Sequence, residues 1–216
     1  MKFRIFGFLE VITVLIAVST GGAIQAATLV TNLGENFAEQ VMLSSNWKYN
    51  QSFATGSSGA TLQELTLNGG QGFLTTNIEY LSVKLYEGNG NYLGTFTNPA
   101  NVVGTYADQN IIFSGNFSLN SNSTYSIGLT IDPLADSFGD GYLNYTSSFN
   151  QSGLVGWGIG NNFATWLVDP STPTAPQYTN GALSMALSGV VPEPSCLSLL
   201  VLGLSGMAVL RRRRMG

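Results

Sequence analysis

Histidine is absent from all 216 residues, and this removes the commonest general base, the commonest metal ligand, and every Ser-His or Cys-His nucleophile pair. Lys48 and Lys84 remain as candidate bases for a serine. Both stand in alternating strand patterns, where an exposed lysine is the ordinary occupant. Asp132, Asp136 and Asp140 recur every four residues in IDPLADSFGDG. Two carboxylates at a suitable separation hydrolyse a glycosidic bond, and three offer oxygen ligands to calcium, although their spacing departs from the EF-hand loop. A solvated acidic turn is the simpler reading. No Gly-rich phosphate loop with a following lysine is present, and the glycines of GWGIG stand between apolar residues and turns. No cofactor is expected.

Aromatic residues raise a different chemistry. Tyr142, Tyr145, Trp157 and Trp166 fall within 25 residues, and exposed aromatic faces on a β-sandwich stack against sugar rings while amide side chains supply hydrogen bonds. Packing in the core is the competing reading for each of them. Phosphate backbones are poor partners for this chain. From Ala27 to Val191 there are two basic and ten acidic side chains, a net −8, so nucleic-acid binding is not expected.

The elements that must position these residues read as short strands. Tyr125, Ile127, Leu129 and Ile131 alternate with small polar residues in STYSIGLTI, as do Leu81, Val83 and Leu85 in LSVKL. Ile111, Phe113, Phe117 and Leu119 share one side of IIFSGNFSL, and Leu183, Met185 and Leu187 one side of LSMAL. Turn signals separate the runs: NGGQG at 68–72, EGNGN at 87–91, LNSNS at 119–123 and FGDG at 138–141. Asn36 to Leu43 is expected to make one or two helical turns at most. Val168 to Gly181, rich in Pro and Thr, is expected to be a long surface connection, with a domain boundary as the alternative. The pattern predicts an all-β fold, an antiparallel β-sandwich of jelly-roll-like form over 27–189.

A single cysteine, Cys196, leaves no intramolecular disulfide to stabilise the body. The Asn-x-Ser/Thr matches at Asn50, Asn116, Asn122, Asn144 and Asn150 are what chance provides in a chain so rich in these residues.

Both ends differ from the middle. Lys2 and Arg4, the apolar run Val11 to Val18 and the small residues Gly21 to Ala27 have the layout of a signal peptide over 1–26, helical in its apolar part, with signal peptidase as the partner and Ala26 as the cleavage point. A permanent anchor helix is the alternative. At the other end, Cys196 to Leu210 is uncharged. As a helix it spans about 22 Å at about 1.5 Å per residue, short of the roughly 30 Å hydrocarbon core. Snorkelling by Arg211, Arg212, Arg213 and Arg214 and local thinning make a single transmembrane helix over 196–210 feasible, with the arginines cytoplasmic.

Pro192-Glu193-Pro194, an apolar helix with small residues, and the terminal arginine cluster together resemble the PEP-CTERM sorting signal, here 190–216. The resemblance implies recognition of Pro192, Glu193 and Pro194 by the membrane enzyme exosortase, transient residence in the inner membrane, and a surface or extracellular destination near exopolysaccharide. The arginines would hold the tail until it is cut. Cys196 departs from the usual pattern; it packs in the helix or is acylated. QSFATGSSGATLQELTLN, LSVKLYEGNGNYLGTF and FSLNSNSTYSIGLT resemble the β-sandwich ectodomains called choice-of-anchor domains. The leading expectation is a non-enzymatic, exported surface protein; a carbohydrate-binding module and a glycan hydrolase are the alternatives.

Overall fold

Alternation of apolar and polar side chains, which on a strand point to opposite faces, organises the body. The computed structural model describes residues 26–35, 39–42, 47–70, 81–99, 108–131, 142–146, 150–167 and 177–192, with the backbone alone at 39, 42, 47, 162, 163, 165–167 and 177–180. Its strands in chain order are β1 (Ala27–Thr31), β2 (Glu39–Met42), β3 (Trp47–Ala54), β4 (Ala60–Gly70), β5 (Leu81–Glu87), β6 (Tyr92–Thr95) and β7 (Gln109–Leu119). There follow β8 (Thr124–Ile131), β9 (Tyr142–Thr146), β10 (Ser152–Gly153), β11 (Gly158–Leu167), β12 (Gln177–Asn180), β13 (Ala182–Leu183) and β14 (Met185–Val190).

Two antiparallel sheets result. One has six strands in the order β12-β11-β3-β8-β5-β6; the other has eight, with β10-β1-β14-β4-β9-β13 in a path, β7 on the second edge of β4, and β2 on β9. Tyr49, Phe53, Val83, Leu85, Ile127 and Leu129 from the first sheet meet Leu29, Leu62, Leu65, Phe113, Leu143 and Leu187 from the second in one apolar cluster. The Phe53 and Tyr125 rings stack within it at 5.6 Å. This is the arrangement of a β-sandwich, and Ala26–Val191 forms a compact unit of its own.

The sandwich has two unlike ends. At the near end the chain enters and leaves on neighbouring strands: Ala27 pairs with Gly189 across β1 and β14. The turns around Gly90 (φ 87°) and Asn122 (φ 49°) lie there too, close to Glu87 and Tyr125, which pair with each other. At the far end β4 finishes at Gly70, β5 begins at Leu81 and β8 finishes at Ile131. The connections 71–80, 100–107 and 132–141 depart from strands ending there and lie outside the described residues.

Three expectations need correction. Glu39–Met42 is a strand, paired residue for residue with Tyr145 to Tyr142; four residues gain more from a ready sheet edge than from an isolated helical turn, whose nucleation is unfavourable. Gln177–Asn180, expected within a loop, pairs with Asn162 to Thr165 and extends the six-stranded sheet. Asn68–Gly70, expected as a turn, continues β4, because β7 and β9 flank it on both sides. FGDG at 138–141 falls outside the described residues.

Candidate functional site

At the far end, amide side chains line up across neighbouring strands. Asn68 on β4 stands opposite Asn110 on β7, and its Nδ2 donates to Asn110 Oδ1 at 2.8 Å. Asn144 Nδ2 donates in turn to Asn68 Oδ1 at 2.6 Å, and Gln40 of β2 pairs with Asn144. Next to this row Tyr142 pairs with Gly70, whose missing side chain leaves the phenol free to reach over β4 and donate to Asp108 Oδ1 at 2.7 Å. That bond, then desolvation and the nearby carboxylate charge, pushes the Tyr142 phenol above its usual range, against a lowering bond from Gln40.

Beneath this surface three strands meet. The Asn68 N–H donates to the Ser184 carbonyl at 2.9 Å, and the Ser184 N–H donates to the Asn144 carbonyl at 2.8 Å. Ser184 therefore marks the corner where β14 leaves β4 and the chain continues as β13 against β9. Asn32 closes the corner from β1: its Nδ2 donates to the Leu183 carbonyl at 2.9 Å, and its Oδ1 accepts from the Met185 N–H at 2.7 Å. Gln51, 0% exposed and facing inward from β3, ties the corner to the six-stranded sheet. It accepts from the Leu183 N–H at 2.8 Å and donates to the Gly160 carbonyl at 2.8 Å. Such groups are tolerated in a core because their hydrogen bonds are made. Asn144 Oδ1 and Ser184 Oγ are the two buried side-chain atoms without a partner among the described residues.

The aromatic candidates do not converge. Tyr142 and Tyr145 are on β9 of the eight-stranded sheet, and Trp166 is on β11 of the six-stranded sheet, its backbone opposite Lys48. Tyr145 packs against the core. Trp157, 9% exposed, belongs to the core itself, so it has no open face for a sugar ring. Asn144, 1% exposed, is closed to a glycan. Asp132, Asp136 and Asp140 lie outside the described residues, as do Glu193, Pro194 and Arg211 to Arg214; Pro192 is described and exposed.

Sequence reasoning passed over Asp108, Gln51 and Asn32. Gln51 carried a signal, since it occupies the inward parity between Tyr49 and Phe53. An open cleft of about 270 Å³ at the near end is lined by Glu87, Asn89, Asn120, Ser123, Thr124 and Tyr125. Among the described residues no group of three or more acidic or cysteine side chains is placed to hold a metal ion, and no helix is long and apolar enough to cross a membrane. The arrangement holds strands in place.

No protein-family model matches the chain, and no curated protein matches it.

Proposed function

We propose that the protein is an exported, non-enzymatic surface or matrix protein, whose N-terminal segment is removed by signal peptidase and whose C-terminal segment is a sorting tail cut by an exosortase-type enzyme. The observation that carries this reading is the pairing of Ala27 with Gly189, in a unit, Ala26–Val191, that is compact by itself. Both segments join the body at the same rim, as is common for domains whose termini carry appendages. In this reading 1–26 and 196–210 are helices in the membrane until cleavage, and the sandwich between them is of jelly-roll type. Pro192, Glu193 and Pro194 form an extended handle, since proline disfavours helix both at its own position and at the residue before it. Delivery leaves the body beside exopolysaccharide.

The test is a triple substitution, Pro192→Ala, Glu193→Gln and Pro194→Ala, in the native cell. The variant is expected to keep its tail and stay in the membrane fraction while the parent loses the tail. Identical processing and fractionation of the two would overturn the proposal.

A further inference from the structure

We infer that the outer face of the six-stranded sheet is a binding surface for an acidic polysaccharide. Lys48 of β3 and Lys84 of β5 are the only basic residues between Ala27 and Val191, and both lie on this face, partly exposed. Neither makes an ion pair among the described residues. The strands of this sheet contain a single carboxylate, Glu87. It sits at the near-end rim, where Asn89 and Asn91 donate to it. The eight-stranded sheet has the opposite balance, with Glu39 and Glu64 and no lysine.

Geometry adds a sugar platform to the charge. β8 runs between the two lysines, with Lys84 opposite Gly128 and Lys48 opposite Thr130, which sets them roughly 12 Å apart on the sheet. The Tyr86 ring leans over Gly128, where a Cβ would stand 2.9 Å from the ring carbon Cε2. Tyr92, 53% exposed, lies 5.7 Å from Tyr86 with the rings tilted by 56°. Its hydroxyl is 2.7 Å from Thr95 Oγ1. Aromatic faces stack on the C–H faces of sugar rings, and the amide and hydroxyl groups alongside, such as those of Asn50 and Ser126, can hydrogen-bond sugar hydroxyls.

The net −8 of the body disfavours a densely charged polyanion, and two cations beside an aromatic surface suit a sugar polymer whose charges are sparse. Nucleic-acid binding goes with a basic patch or stripe, and a polybasic membrane site with roughly four to eight basic residues. Glu64, exposed on the other sheet, is about 10 Å or more behind this face, beyond the roughly 8 Å over which charge acts at physiological salt. The surface location proposed above gives this face its relevance, but the binding itself stands on the body alone.

The experiment is affinity electrophoresis of the purified protein in gels containing partly methyl-esterified polygalacturonate, whose free carboxylates are spaced apart, with dextran as the neutral control. Retardation by polygalacturonate is expected, weakened about tenfold by Lys48→Gln with Lys84→Gln and again by Tyr92→Ala, while Glu64→Gln is retarded like the parent. The lysine pair is partly exposed and makes no ion pair among the described residues, so its substitution should leave the melting temperature unchanged and keeps the test decisive should a tyrosine variant fold poorly. No retardation at low salt, equal retardation by dextran, or full retardation of the lysine pair overturns the inference. A negative result here leaves tail processing untouched, and unprocessed tails in the cell leave this face untouched.

Discussion

The two ends of the sandwich are stabilised by different means. At the near end the backbone closes the long-range pairing of β1 with β14, but the side-chain bonds are local or join adjacent turns. Asn91 N–H donates to Asn89 Oδ1 at 2.9 Å, Thr55 Oγ1 donates to the Asn120 carbonyl at 2.7 Å, and the Tyr125 hydroxyl accepts from the Asn120 N–H at 2.8 Å. Toward the far end the decisive bonds span most of the chain: Asn32 and Met185, joined at 2.7 Å, are 153 residues apart. Short turns with their own side-chain chemistry form wherever their residues occur. The corner at Ser184 exists only once β1, β3, β4, β9, β13 and β14 have come together. The near end is therefore the rim whose turns carry their own side-chain bonds, and the far end is where the side-chain network depends on long-range order.

Substitutions can break this contrast. The largest effect is expected for Asn32→Ala, which strands the Met185 N–H and the Leu183 carbonyl in the core and should cost about 3–4 kcal/mol of unfolding free energy in a urea titration. A change of comparable severity away from the corner needs backbone strain, as at Gly153 beside Val30 of β1. Gly153 has φ 145°, and a Cβ there would meet the Leu29 carbonyl oxygen at 2.4 Å, so Gly153→Ala should cost about 3 kcal/mol by the same titration. Removing one near-end hydrogen bond, as in Tyr125→Phe, should cost only about 1 kcal/mol. If Tyr125→Phe proved costlier than Asn32→Ala, the contrast would be reversed.

Smaller effects sharpen it. Ser184→Ala removes a buried hydroxyl that has no hydrogen-bond partner among the described residues, so stability should stay within about 0.5 kcal/mol of the parent. A loss above about 2 kcal/mol would mean that the corner needs this oxygen. A small loss is expected for Tyr142→Phe at neutral pH, where the exposed bond to Asp108 is intact in the parent. Because the folded state raises the phenol's pKa, its contribution is complete below the unfolded value and is lost as pH rises through the folded one. The parent should thus lose stability on the alkaline side of pH 10 more steeply than Tyr142→Phe, as pH-dependent melting would record.

The same contrast decides what the sequence disclosed. Tyr125, Ile127, Leu129 and Ile131 gave β8 away because the strand stays in register with both neighbours along its length. The turns at 87–91 and 119–123 were equally legible, since Gly90 and Asn122 take the positive φ that their residue types favour. Glu39–Met42 and Gln177–Asn180 were not, because each is a strand only by virtue of the edge it meets. The amide corner was hidden for a related reason: Asn32, Gln51, Asn68 and Asn144 look like surface residues until their distant partners are known. Trp157 was ambiguous between platform and core, and its packing decided for the core.

That the body travels between two removable ends is tested most directly by the intact mass of the protein recovered from its native cells. The account predicts a chain beginning at or near Ala27 and ending near Pro194, without Arg211 to Arg214, found outside the inner membrane. Recovery of the uncut 216-residue chain from the cytoplasm would contradict it.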